Sequence, residues 1–403
     1  MRSCTELATP QLEAMPESTP AAVITQQGLG NLIEALSGQG FEVIGPQVRD
    51  GAIVYDRLTS VEQLPSGWID DQSSGRYRLQ RGSSTALFDY TVSSHSWKKF
   101  LYPDRQRLVT CERLKPGYSS DESDATDRPY AFFGVRSCDL HAIELYDRIF
   151  LQGPYVDSNY KRRRESCFIV AVNCGRASGT CFCASMNTGP RATSGYDLAL
   201  TELPSSDSYH YLAEVGSLRG GEILSAIPHE PSTEIDLQDA EKLLATTSAH
   251  MGRSLETRGL KETLLRNFDH PIWDRIADRC MSCANCTMVC PTCFCTTVED
   301  TTDLSGSKAE RWRRWDSCFT LDFSYIHGGS IRVSTKSRFR QWMSHKLGAW
   351  VDQFGSFGCV GCGRCITWCP VGIDITAEAR NLQSSEMISP EEPSRSTYDS
   401  SNA

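Results

Sequence analysis

Apolar and polar positions divide the chain into segments of different period. The first twenty residues are rich in Pro, Ser, Thr and Glu and carry no apolar periodicity, which predicts a disordered tail over 1–21. Leu29, Leu32, Ile33 and Leu36 then recur at helical spacing until Gly38 and Gly40 stop the pattern. Short runs at 41–44, 53–55, 77–79 and 86–92, separated by turn residues, read as strands. The charged stretch 119–128 (SSDESDATDR) reads as a disordered loop. Two continuous apolar runs follow, 130–135 and 167–172. Between them lies a helical pattern over 140–150, with Ala142, Ile143, Leu145, Tyr146 and Ile149 on one side. Strand, helix, strand in that order predicts an α/β unit with parallel pairing. Residues 203–235 have the composition of loops, whereas 237–246, 255–268 and 339–354 have helical patterns. The polar stretch 389–403 is expected to be a second disordered tail. The expected architecture is an α+β or α/β region over 22–235, followed over 236–388 by a mostly helical domain.

Charge and composition narrow the function. A net charge of -9 argues against a nucleic-acid partner. No segment approaches the ~18 consecutive apolar residues of a membrane span. The N-terminal sequence lacks the apolar core of a secretory signal. A cytoplasmic location is therefore expected. In a reducing compartment, clustered cysteines more often bind metal than pair as disulfides. Of the 18 cysteines, eleven lie between Cys280 and Cys369.

Eight of these form two identical runs. Cys280, Cys283, Cys286 and Cys290 precede Pro291; Cys359, Cys362, Cys365 and Cys369 precede Pro370. The spacing C-x2-C-x2-C-x3-C-P is that of two-cluster ferredoxins, in which the fourth cysteine of each run ligates the other cluster. One [4Fe-4S] cluster is thus assigned to Cys280, Cys283, Cys286 and Cys369, and another to Cys290, Cys359, Cys362 and Cys365. Structural zinc needs four ligands, usually as two C-x2-C pairs, and fits two such runs poorly. The long separation of the runs, with a helical pattern between them, makes the domain ferredoxin-like rather than a compact ferredoxin. Nine Lys/Arg against three Asp/Glu lie between Ser307 and Lys346. Such cations would raise a cluster's potential or dock a partner; a solvated surface is the plainer alternative. The same alternative applies to Lys161, Arg162, Arg163 and Arg164.

Cys138 follows the first buried strand and Cys174 the second, so parallel strands would bring both to one sheet edge, where α/β folds place ligands. Cys181 and Cys183 complete four ligands for a third [4Fe-4S] cluster; buried free cysteines are the alternative. Cys293, Cys295 and Cys318 suggest packing near a cluster. Gly28 and Gly30 are followed by Ile33, which breaks the dinucleotide fingerprint. No Walker A motif, catalytic histidine group or nucleophile–base pair is evident, and no catalytic residue is assigned.

The chain resembles the beta subunits of cytosolic sulfhydrogenases, the bidirectional [NiFe] hydrogenases, whose relatives include an iron–sulfur component of anaerobic sulfite reductase. The resemblance rests on 132–151 (FFGVRSCDLHAIELYDRIFL), 180–203, 280–300, 311–329 (RWRRWDSCFTLDFSYIHGG) and 359–376, and spans about Ala22 to Ser389. It implies an electron-transfer subunit between an NAD(P)H-linked flavin subunit and the small and large [NiFe] hydrogenase subunits. A sulfite or sulfur reductase complex is the second expectation. A stand-alone iron–sulfur enzyme is the alternative of another class, and an iron–sulfur sensor a further one.

Overall fold

A computed structural model describes residues 21–114, 117–121, 128–205 and 208–386. The expected tails up to residue 20 and over 389–403, and residues 122–127 of the expected charged loop, lie outside the described residues.

Strand β1 (Ala21–Ile24) leads into helix α1 (Gln26–Gly38). The Thr25 hydroxyl caps α1 by accepting from Gly28 N–H at 3.2 Å. Leu29, Leu32, Ile33 and Leu36 are all fully buried, as their spacing requires. Burial of each contributes roughly 1.5–3 kcal/mol. Strands β2 (Glu42–Arg49) and β3 (Ala52–Arg57) form a hairpin, as do β4 (Trp68–Ser73) and β5 (Arg76–Arg81). β6 (Arg105–Leu114) and β7 (Gly117–Asp121) are antiparallel. β8 (Tyr130–Val135), helix α2 (Ser137–Leu151) and β9 (Phe168–Val172) form the predicted unit, with β8 and β9 parallel. β10 (Leu198–Pro204), β11 (Tyr209–Val215) and β12 (Glu230–Pro231) complete an eight-stranded sheet in the order β12-β1-β11-β10-β9-β8-β2-β3.

Alternate residues of the central strands face opposite layers. Phe133 and Val170 meet α1, while Phe132 and Ile169 meet Leu140, Ile143 and Tyr146 of α2. The sheet is therefore covered on both faces, which explains the unbroken apolar runs.

Two expectations need correction. Residues 86–92 are buried but are not a strand. Their backbone groups are taken by side chains instead: Glu202 accepts from Leu87 and Phe88 N–H at 2.6 and 3.0 Å, and Asp70 accepts from Thr91 N–H at 2.6 Å. Arg136 donates to the Phe88 and Tyr90 carbonyls at 2.9 and 2.8 Å. Residues 203–235 are not loop throughout, because β11 pairs with both β10 and β1, and Leu218–Ser225 is a helix capped by Ser217.

The C-terminal region holds helices Glu234–Ala249, Leu260–Arg266, Ile272–Arg279, Thr335–Ser344 and Ile375–Glu386. Leu264, Trp273, Ile276, Phe339, Trp342 and Leu382 pack into one core, which Phe182 enters from the middle region. The insert between the cysteine runs also contains a hairpin, β13 (Thr296–Thr302) and β14 (Lys308–Trp315). β14 pairs with β6, so one four-stranded sheet joins the insert to the N-terminal half. Among the described residues, no helix is long and apolar enough to cross a membrane.

Candidate metal centres

The two cysteine runs follow the same backbone path. Ser282 and Ala284 in the first, and Gly361 and Gly363 in the second, all adopt positive φ, at 52°, 67°, 62° and 75°. These turns aim N–H groups back at sulfur: Ser282 N–H donates to Cys280 Sγ at 3.4 Å, and Gly361 N–H to Cys359 Sγ at 3.5 Å. Such bonds stabilise thiolate charge. Glycine is required only in the second run. A Cβ on Gly361 would stand 2.6 Å from Phe182 O, and one on Gly363 2.4 Å from Thr180 O. Residues 180–183 press against the second loop, and Phe182 N–H donates to Gly361 O at 2.8 Å.

Cys280, Cys283 and Cys286 line one cavity together with Cys369 of the other run. Ile373 N–H donates to Cys369 Sγ at 3.3 Å. Cys283 is exposed, the others less so. Burial raises the Cys286 thiol well above its ordinary pKa, and the neighbouring charges of Cys280, Cys369 and Cys283 raise it further. Cys365 is raised likewise by burial, then by Cys359, Cys362 and Cys290. Each run's fourth cysteine thus sits with the first three of the other. Thiols packed this closely resist ionising by themselves, and bound metal removes that penalty by deprotonating its ligands. Among the described residues, no three His, Cys, Asp or Glu side chains converge as ligands of a single metal ion would. Each crossed set of four cysteines, with backbone N–H groups aimed at its sulfurs, is the donor set that a [4Fe-4S] cluster takes.

Cys138, Cys174, Cys181 and Cys183 line a further cavity, together with Thr91, Arg176, Met251 and Cys362. Cys138 opens α2 and Cys174 follows β9, so the parallel pairing brings them to the same sheet edge. Burial raises all four thiols, Cys181 to about 11. The Arg136 guanidinium, with Nη1 at 3.9 Å from Cys174 Sγ, opposes the rise at Cys174. Cys362 of the second run belongs to this lining, so the third group of sulfurs adjoins the second.

Side chains without a sequence signature hold these loops in place. Arg364, between Cys362 and Cys365, donates from Nη2 to Asp139 Oδ2 at 2.8 Å and from Nε to Ser93 O at 2.9 Å. Gln72 Oε1 accepts from Thr367 Oγ1 at 2.8 Å, and the Thr367 and Thr180 hydroxyls lie 2.8 Å apart. Tyr77 stacks on Trp368 with ring centroids 5.2 Å apart.

Cys293, Cys295 and Cys318 are not scattered. Cys293 adjoins Cys290 and Cys295 adjoins Cys318, all four as free thiols. The Cys318 hydrogen bond lowers Cys295 to about 7 despite its burial. Two buried lysines lie beside them. Lys98 Nζ donates to Met288 O and Cys293 O, both at 3.3 Å, and burial pulls its pKa down to about 8. Burial also works against the Lys346 ammonium, but the charges of Cys290, Cys293 and Cys359 outweigh it and hold the pKa well above the ordinary value. The arginines of the basic stretch are largely paired: Arg311 with Asp300 at 2.7 Å, Arg314 with Glu299 at 2.7 Å, and Arg313 with Asp157. Arg163 and Arg164 are not a solvated face either, since Arg163 is buried and Arg164 meets Asp147 at 3.1 Å.

A doubly covered α/β sheet docked on paired ferredoxin-type loops defines an iron–sulfur electron-transfer protein. Residues 279–373 match the 4Fe-4S dicluster domain family. The chain is 33% identical over 323 residues to sulfhydrogenase 2 subunit beta of Pyrococcus furiosus, across 79% of this chain and 92% of that one. It belongs to the sulfhydrogenase beta-subunit family and is an iron–sulfur subunit of that family. No solved structure matches the chain.

Proposed function

We propose that the chain relays electrons through three [4Fe-4S] clusters between an NAD(P)H-linked flavin subunit and the small and large subunits of a cytoplasmic [NiFe] hydrogenase. Cys280, Cys283, Cys286 and Cys369 hold the first cluster. Cys290, Cys359, Cys362 and Cys365 hold the second. Cys138, Cys174, Cys181 and Cys183 hold the third. Among the described residues, 21–235 form the unit of the third cluster, with Ala21 in β1 and not in a tail, and 236–386 that of the other two. The clusters supply one-electron chemistry; the chain supplies thiolates, N–H donors and a buried surrounding that sets potentials.

The observation that carries this reading is the adjacency of the three sulfur groups. Cys365 lines the first cavity and Cys362 the third, so residues of the second run face both neighbours. A sensor would have no use for such a series. The relative's description as a subunit of a sulfhydrogenase supports the hydrogenase assignment over a sulfite or sulfur reductase.

Iron and acid-labile sulfide in the anaerobically purified chain test the cluster count. Three clusters give about twelve irons per chain, and about eight would eliminate the third. The isolated chain should be reduced by dithionite yet turn over neither H2 nor sulfite. Turnover by the chain alone would make it the catalyst and end the relay reading. Co-purification with a sirohaem protein instead of a [NiFe] large subunit would favour the reductase.

A further inference from the structure

Lys346 is a buried cation with no acidic partner at its head group. Its Nζ lies 3.3 Å from Cys290 Sγ, 2.8 Å from Thr292 Oγ1 and 2.9 Å from Gly358 O. An ammonium carries three donors and no acceptor, and three acceptors meet it here. The Thr292 hydroxyl donates its own proton to Gly358 O at 2.6 Å, which leaves its oxygen free to accept from Lys346. The residue is 3% exposed. A buried charge is costly unless it is paired, and the only charge-bearing atom among the three contacts is a cysteine sulfur. The sulfur in question belongs to the ligand that the first run contributes to the second cluster.

Sequence and fold explain how the lysine arrives there. Lys346 lies in the one π-helical turn of the described residues, His345–Ala349, between the helix Thr335–Ser344 and the helix Trp350–Phe354. Such bulges are frequent at functional sites because they redirect a side chain without ending the helix. Gly358 N–H donates back to Lys346 O at 2.8 Å, tying the lysine backbone to the residue before Cys359. The lysine is thereby fixed to both segments that supply the second cluster's ligands.

We propose that Lys346 is a positioning residue that sets the reduction potential of the second cluster alone, by holding a positive charge and a hydrogen bond on Cys290. The inference rests on the ligand assignment under Proposed function. A cluster gains negative charge on reduction, so an adjacent cation and an N–H donor to sulfur both favour the reduced form. Among the described residues, no lysine reaches a sulfur of the first or third group: hydrogen bonds to Cys280 and Cys369 come from backbone N–H, Cys181 lies 3.1 Å from the neutral Ser178 hydroxyl, and Cys174 meets the more distant Arg136 at 3.9 Å.

The test is an anaerobic redox titration of the full chain, followed by electron paramagnetic resonance, for the native protein, K346M, K346Q and K346R. Removing the charge should move one cluster midpoint to more negative potential by at least a tenfold change in its reduction equilibrium, about 59 mV for one electron. The other midpoints should stay where they are, and K346R should recover most of the shift. K346Q keeps a donor without the charge and serves if K346M loses iron. An unmoved midpoint in an iron-replete neutral variant overturns the proposal, as does an equal shift of every cluster. A native chain lacking a second ferredoxin-type cluster would instead overturn the ligand assignment beneath it.

Discussion

Arg364 and Asp139 form a buried ion pair at 2.8 Å, with side chains 0% and 2% exposed. Arg364 stands between two cysteines of the second run, and Asp139 stands next to Cys138. The pair therefore bolts the ferredoxin-type loop onto the first turn of α2, joining regions separated by more than half the chain. Breaking a buried pair leaves one charge uncompensated, which costs about 3–5 kcal/mol. Arg364→Met should lower the thermal midpoint sharply, because it leaves the buried Asp139 side chain without its partner. The double variant Arg364→Met with Asp139→Leu should recover part of the loss. A double variant as unstable as the sum of the single ones would show that the two residues act independently.

The crossed ligand sets give a spectroscopic prediction. Cys369→Ser should damage the cluster held by Cys280, Cys283 and Cys286, while Cys290→Ser should damage the one held by Cys359, Cys362 and Cys365. Mössbauer spectra of the two variants should lose different components. Damage confined to each variant's own run would refute the crossed assignment, however well the cavities match it.

Gly363 tests the fit between the second loop and residues 180–183. Alanine there would need a left-handed backbone and would bring its Cβ to 2.4 Å from Thr180 O and 2.6 Å from Thr180 Oγ1. Backbone cannot yield as a flexible side chain can, so Gly363→Ala should cost about 1–3 kcal/mol in strain alone. Iron content should fall at the second cluster first. The corresponding position in the first run is already alanine, Ala284, at φ 67°. Ala284→Gly should therefore leave iron content unchanged.

Much of this was readable from the sequence where the signal was local. Leu29, Leu32, Ile33 and Leu36 could only bury together on a helix. The apolar runs of β8 and β9 could only lie inside a covered sheet. The cysteine spacings carried their own chemistry, and Cys138 and Cys174 followed from parallel strand ends. What sequence could not supply was pairing at a distance. Residues 86–92 have the composition of a strand, but Glu202, Asp70 and Arg136 claim their backbone groups first. The β13–β14 hairpin was hidden because its polar residues pair with β6, some two hundred positions away. Lys346 looked like one more member of a basic stretch. Its burial beside Cys290 comes from the π-helical turn and from Gly358, and neither has a periodic signature.

A last prediction concerns Arg253 and Asp374, which clamp the third sulfur group to the C-terminal helix. Arg253 donates from Nε to Asp374 Oδ2 at 2.7 Å and from Nη1 to Gly179 O at 2.7 Å, while its N–H reaches Cys181 O at 2.9 Å. Asp374 also accepts from Thr376 N–H at 2.9 Å and from the Thr376 hydroxyl at 2.7 Å. Burial opposes ionisation of this carboxyl, but the Arg253 and Thr376 hydrogen bonds prevail and hold its pKa below the ordinary value. A folded-state pKa below the unfolded one means stability that is present above about pH 4 and lost as pH falls through the folded value. Asp374→Asn should lower stability by about 1.5–3 kcal/mol at neutral pH, the range for hydrogen bonds to a charged group. As pH falls from about 4 through the lowered folded-state value the native carboxyl protonates too, so the gap between native and variant should close. Urea unfolding of both proteins across that range, under anaerobic conditions and with iron content monitored, measures the gap. A difference independent of pH would mean that Asp374 acts through its shape and not its charge.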